Sequence, residues 1–130
     1  PGITADTLRN VLRDPVRGLV LETYGAGTFP ARDPSLLEPV HAATTREPPA
    51  VVVNCSQCHG GVVRQELYRS SRVLADAGVV SGYAMTPEAA LTKLYCLLGA
   101  GASTHVVREQ IGVDLAGELD QRSIHRQKGT

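Results

Sequence analysis

Ala50-Val51-Val52-Val53-Asn54-Cys55 decides the fold. Three consecutive β-branched residues favour extended backbone. A run without polar alternation belongs to a strand covered on both faces, as in the middle of a parallel sheet. Working outward, Gly18 to Tyr24 holds Leu19, Val20 and Leu21 in a second such run, broken by Gly25-Ala26-Gly27. Val79-Val80 is a third, shorter extended piece. Between these lie helical patterns. Thr4 to Arg13 repeats Ile3, Leu8, Val11 and Leu12 at helical spacing, with Thr4 as N-cap and Pro15 as terminator. Leu36 to Thr44 follows Pro34, and Leu67 to Ala77 runs into Gly78, a C′ glycine. Thr86-Pro87-Glu88 supplies a cap, a first-turn proline and an acid at the positive helix end. Leu91, Leu94, Tyr95 and Leu98 form the apolar stripe expected behind it, ended by Gly99-Ala100-Gly101. Ser103 to Ile111 is the last helix, carrying Val106, Val107 and Ile111. Strands alternating with helices define an α/β chain with a parallel sheet joined by right-handed crossovers. One domain is expected over residues 1–119, followed by a polar tail over 120–130.

The composition narrows the partners. With 130 residues the chain builds one core and one domain. Thirteen basic and thirteen acidic residues cancel, so no positive excess draws in phosphates and no nucleic-acid partner is expected. No apolar run reaches the ~18 residues of a membrane span, and no charged-then-apolar leader opens the sequence. The three cysteines are an odd number and read as reduced thiols of a cytoplasmic protein.

In parallel sheets ligands collect at the strand C-termini. The loops Tyr24 to Pro30 and Ser56 to Gly61 follow the two best strands and are rich in glycine, which lets backbone N–H groups approach a ligand. The second loop also reads Cys55-Ser56-Gln57-Cys58-His59, the C-x-x-C-H pattern of covalent haem attachment. Its setting opposes that use. The motif abuts a valine strand, a glycine pair follows, and aromatics are 4% of the chain with no Trp. Zinc would need a fourth ligand from afar. A redox pair needs a helix N-terminus at the motif, which Gly60-Gly61 disfavours. The expectation is therefore no cofactor and no metal, with Cys55 buried at a strand end, Cys58 in a loop and Cys96 in a helix core. His41, His105 and His125 read as surface residues. No nucleophile elbow or phosphate loop is present.

Ala77-Gly78-Val79-Val80-Ser81-Gly82-Tyr83-Ala84-Met85-Thr86-Pro87, with Gly18-Leu-Val-Leu-Glu-Thr-Tyr-Gly-Ala-Gly27 and Val51-Val-Val-Asn-Cys-Ser-Gln-Cys58, resembles the C-terminal domain of cytosolic, type I-like L-asparaginases. The resemblance runs from Pro1-Gly2-Ile3-Thr4 to Leu115-Ala-Gly-Glu-Leu119. It implies a three-layer Rossmann-like parallel sheet with flanking helices. It implies a part of an enzyme that hydrolyses L-asparagine to L-aspartate and ammonia. The family's catalytic threonine motifs lie in an N-terminal domain, and no threonine here sits in either motif, so no catalytic residue is carried over. That N-terminal domain and further copies of the chain are the implied partners. The family also places a strand just before the Pro1-Gly2 motif; without it a sheet edge is exposed, which favours pairing with another copy. In some bacterial members this domain forms an allosteric asparagine site. Carried over motif by motif, that site involves Glu22, Tyr24, Gly25, Gly27, Thr28, Ser56 and Cys58. Glu22 stands where regulated members have arginine, Thr28 where asparagine is usual, and Ala84 where aspartate is common. An arginine forks onto a carboxylate; a glutamate repels it. A stand-alone amino-acid-binding or interaction domain is the second reading, and a c-type haem protein the third.

Overall fold

The computed structural model describes residues 2–30, 33–64 and 69–119. Three parallel strands, β1 (Gly18–Thr23), β2 (Val51–Ser56) and β3 (Val80–Ser81), lie in the order β1-β2-β3. Gly18 pairs with Val51, Leu21 with Asn54, and Val53 with Val80. The valine strand is the central one and is buried throughout, as its unbroken apolar run requires. The α/β reading from the sequence therefore holds.

Alternation along β2 sends side chains to two cores. Val52 meets Leu8, Leu12, Val40 and Leu74 on one face; Val51, Val53 and Cys55 meet Leu94, Val107, Ile111 and Leu119 on the other. The first face is covered by α1 (Ala5–Leu12), α2 (Leu37–Thr45, after a 3-10 turn at Pro34–Leu36) and α3 (Arg69–Asp76). The second is covered by α4 (Pro87–Gly99) and α5 (Thr104–Gln110). This is the three-layer arrangement.

Local chemistry starts and stops these helices where the sequence indicates. The hydroxyls of Thr4, Thr86 and Ser103 accept from Thr7, Ala89 and Val106 N–H groups. Arg46 reaches back from the end of α2 to donate to the Leu12 and Val16 carbonyls, tying off the end of α1. Arg108 donates to Gly78 O at 2.7 Å, fastening α5 to the turn after α3.

Three expectations are corrected. Leu91 and Tyr95 are not core residues of α4: they are 59% and 80% exposed. The buried face runs through Ala90, Lys93 and Leu94, with Leu97 partly covered. It has helical spacing too, but includes a lysine that a hydrophobicity pattern passes over. Cys96, two residues beyond Leu94, is consequently exposed instead of buried. Ile3 and Val11 are also exposed, and only Leu8 and Leu12 of α1 enter the core. Leu67 and His125 lie outside the described residues.

Lys93 is admitted to the interior because its charge is matched. Its Nζ donates to the Ile111 and Val113 carbonyls and to the Glu118 carboxylate. Glu118 also accepts from the Leu115 and Ala116 N–H groups, closing the segment after α5 into a turn. Burial raises the Glu118 pKa, but the Lys93 bond and these backbone N–H groups outweigh it and hold the carboxyl down at about 2.

Candidate ligand site at the strand ends

The C-terminal ends of the strands are laced together by their loops. β1 runs into a tight turn in which Thr28 N donates to Tyr24 O at 2.8 Å and Tyr24 N to Thr28 O at 3.2 Å. Gly25 and Gly27, at φ 53° and 106°, supply the left-handed backbone this turn needs. Ser56, at the end of β2, joins the two loops: its hydroxyl donates to Gly25 O at 2.6 Å and accepts from Cys58 N at 3.1 Å. Arg64 N donates to Ala26 O, and Val63 N to Tyr83 O, so the chain leaving β2 fastens the loops after β1 and β3.

Beside this lacing lies a cleft of about 270 Å³, lined by Glu22, Ser56, Cys58, His59, Gly61, Met85, Thr86 and Glu88 among others. Of the residues carried over from the resemblance, Glu22, Ser56 and Cys58 line this cleft. Gly25 touches the site through its carbonyl on Ser56, whereas Tyr24, Gly27 and Thr28 form the adjoining turn and do not line the cleft. His59, Thr86 and Glu88 were not among the grouped residues and do line it. The cap signal at Thr86-Pro87-Glu88 was legible; that the crossover aims this helix start at the end of β2 was not.

The cleft wall is acidic. Glu22 and Glu88 face it, with His59 as its one ionisable base among the described lining residues. Hydrogen bonds from its own backbone N–H and from Thr86 hold the Glu88 carboxyl below the usual carboxylate range. Beneath the cleft, burial first, and then the charges of Glu22 and Glu88, push the Cys55 thiol up to about 12. Cys55 is fully buried in the core while Cys58 is exposed. The two thiols of the C-x-x-C-H run thus sit in opposite surroundings, and the buried one stays protonated. That arrangement does not present a pair to a porphyrin, a metal or a disulfide partner. No group of three or more metal-ligating side chains is assembled among the described residues. No described helix is long and apolar enough to cross a membrane.

The fold is a parallel α/β domain with a cleft at the C-terminal ends of its strands. The Glutaminase/Asparaginase C-terminal domain family matches residues 1–111, and the chain belongs to that family. It is 43% identical over 119 residues to L-asparaginase 1 of Escherichia coli K12, covering 92% of this chain and 34% of that protein. It is 41% identical over 129 residues to the human 60 kDa lysophospholipase, covering 98% and 22%. Among solved structures, L-asparaginase I from Vibrio cholerae superposes with a TM-score of 0.83 at 43% identity, covering 92% of this chain and 35% of that one. The chain therefore spans about a third or less of these relatives' length.

Proposed function

We propose that the chain is the interface and ligand-binding part of a cytoplasmic L-asparaginase that hydrolyses L-asparagine to L-aspartate and ammonia. In this reading an N-terminal catalytic domain does the chemistry and this part contributes none of the reacting groups. The observation that carries it is the 43% identity to L-asparaginase 1 along 119 residues, extending through the loops that build the cleft. Similar stretches occur in proteins named for different reactions: a lysophospholipase and a glutamyl-tRNA(Gln) amidotransferase. The shared fold therefore does not by itself assign one reaction to this part. Within the cleft, Ser56, Cys58 and Glu22 are the proposed ligand contacts, with Gly25 held in place by Ser56. Assembly into homo-oligomers belongs to the same proposal.

The acidic wall favours one variant of this reading: a binding or interaction domain without an asparagine response. Glu22 and Glu88 together repel a ligand carboxylate. The test is ammonia release from L-asparagine by the purified chain, with calorimetric titration of L-asparagine into the same sample. No release is expected, and release by this chain alone would overturn the proposal. Glu22→Arg is expected to strengthen asparagine binding at least about tenfold, since an arginine forks onto the carboxylate. Unchanged binding in that variant would remove the cleft as the asparagine site.

A further inference from the structure

The turn Cys58-His59-Gly60-Gly61 carries the cleft's one ionisable base among the described lining residues. Gly61 N donates to Cys58 O at 2.8 Å and closes a β-turn with His59 and Gly60 at its corners. Gly60 takes the second corner at φ 70°. The turn is anchored at its base. Cys58 N donates to Ser56 Oγ at 3.1 Å, and a Cβ on Gly61 would stand 2.3 Å from that same oxygen, so the turn packs closely on the end of β2. His59 is thereby held beside the cleft it lines, with its side chain exposed and in no ion pair with the described residues.

Two anions share the cleft with it. Glu22 comes from β1 and Glu88 from the first turn of α4. Neither forms an ion pair with a lysine or arginine among the described residues. Burial first, and then both of these charges, raise the Cys55 thiol beneath, so their fields overlap at one atom. Backbone and Thr86 hydrogen bonds hold the Glu88 carboxyl low, and the charge of His59 adds to them. A ligand carboxylate entering here meets two like charges and a single group able to oppose them. A neutral imidazole does not offset them; an imidazolium does, and it donates from both ring nitrogens. A ligand ammonium group, in contrast, is attracted by Glu22 and Glu88 whatever the state of His59. A cleft of about 270 Å³ is smaller than a pocket for a drug-sized molecule and suits one amino acid.

We infer that the cleft takes a small amino acid as its zwitterion together with a proton on His59, the ammonium group against Glu22 and Glu88 and the carboxylate against the imidazolium. His59 is then the specificity residue of the cleft, and its protonation controls binding. The inference rests on the ligand-cleft reading above and adds to it a coupled proton. The titratable groups facing His59 are Glu22 of β1, Cys58 of its own turn and Glu88 of α4. A carboxylate ligand favours the charged imidazole, so binding draws a proton onto His59. Affinity therefore rises as pH falls through the range in which an imidazole gains its charge.

The test is calorimetric titration of L-asparagine into the purified chain at pH 6 and pH 8, each in two buffers of different ionisation enthalpy. Binding is expected to be at least about tenfold tighter at pH 6, with a buffer-dependent heat that reports proton uptake. His59→Gln keeps a hydrogen-bond donor without the ability to charge, and is expected to lose both the pH slope and the uptake. His59→Lys is charged at both pH values and is expected to bind at pH 8 about as tightly as the unaltered chain does at pH 6. Binding by the unaltered chain that is independent of pH overturns the inference, and so does a slope that survives in His59→Gln. Glu22→Arg, titrated alongside at pH 8, separates this from the reading on which it rests. Binding by Glu22→Arg without pH dependence in the unaltered chain keeps the asparagine cleft and removes the proton on His59. No binding by Glu22→Arg, or by the unaltered chain at either pH, removes the cleft and the inference together.

Discussion

The hydroxyl of Ser56 shows how one residue organises the candidate site. It donates to one strand-end loop and accepts from the other, so one side chain ties the two loops beside the cleft. Glu118 is the comparable device in the core. Its carboxyl is held at about 2, below its ordinary 4.5, by Lys93 and backbone N–H groups acting against burial. A depressed carboxyl contributes stability that is complete above the unfolded value and is lost as pH falls toward the folded one. Glu118→Gln is therefore expected to destabilise the domain at neutral pH by on the order of 3 kcal/mol, because it leaves a buried lysine unpaired. The gap between wild type and variant should close as pH falls from about 4.5 to about 2. Urea unfolding at neutral pH and at pH 3 checks this. An equal gap at both would refute the assignment. The sequence marked neither Lys93 nor Glu118, because twenty-five residues separate a pair that only the packing of α4 against the α5 exit brings together.

At the scale of elements, most boundaries were legible because they are set by local chemistry. Thr4, Thr86 and Ser103 cap their helices with bonds spanning three residues, and such short-range signals survive any tertiary setting. Gly78 combines a local and a long-range requirement. Its φ of 82° suits glycine, and a Cβ there would stand 2.7 Å from Thr44 Oγ1, which donates to Ala77 O at 2.6 Å. Gly78→Ala should thus cost roughly 2–3 kcal/mol, more than backbone strain alone, and Thr44→Ala should partly relieve it. Thermal melts of the two single variants and the double variant measure that coupling; strict additivity would show that the contact is not the cause. α4 is where pattern reading failed. Two faces of this helix carry leucines at helical spacing, and the sheet selected the one containing Lys93.

For the whole molecule, β2 belongs to both cores and is the element through which they are coupled. Leu74→Ala on one face and Ile111→Ala on the other should each lose about 2–5 kcal/mol. Each variant should still unfold in a single transition, because neither helix layer keeps a core once β2 is released. Coincident far- and near-ultraviolet circular dichroism midpoints would confirm this. Separate midpoints in either variant would show two independent units.

The amino-acid sequence by itself determined the strand core, the helix starts and the family, because β-branching, capping and motif order act over a few residues. It also singled out the loops 24–30 and 56–61, since the strand ends of a parallel sheet gather on one side, while Glu22 was grouped with Ser56 and Cys58 through the family resemblance. Only the tertiary structure decided that Glu88 and His59 share that cleft and that Thr28 stays in the turn beside it. It alone turned Leu91, Tyr95 and Cys96 outward. The reason is geometric: which face of a helix is buried depends on where the sheet lies, and no periodicity within the helix encodes the direction of its neighbour.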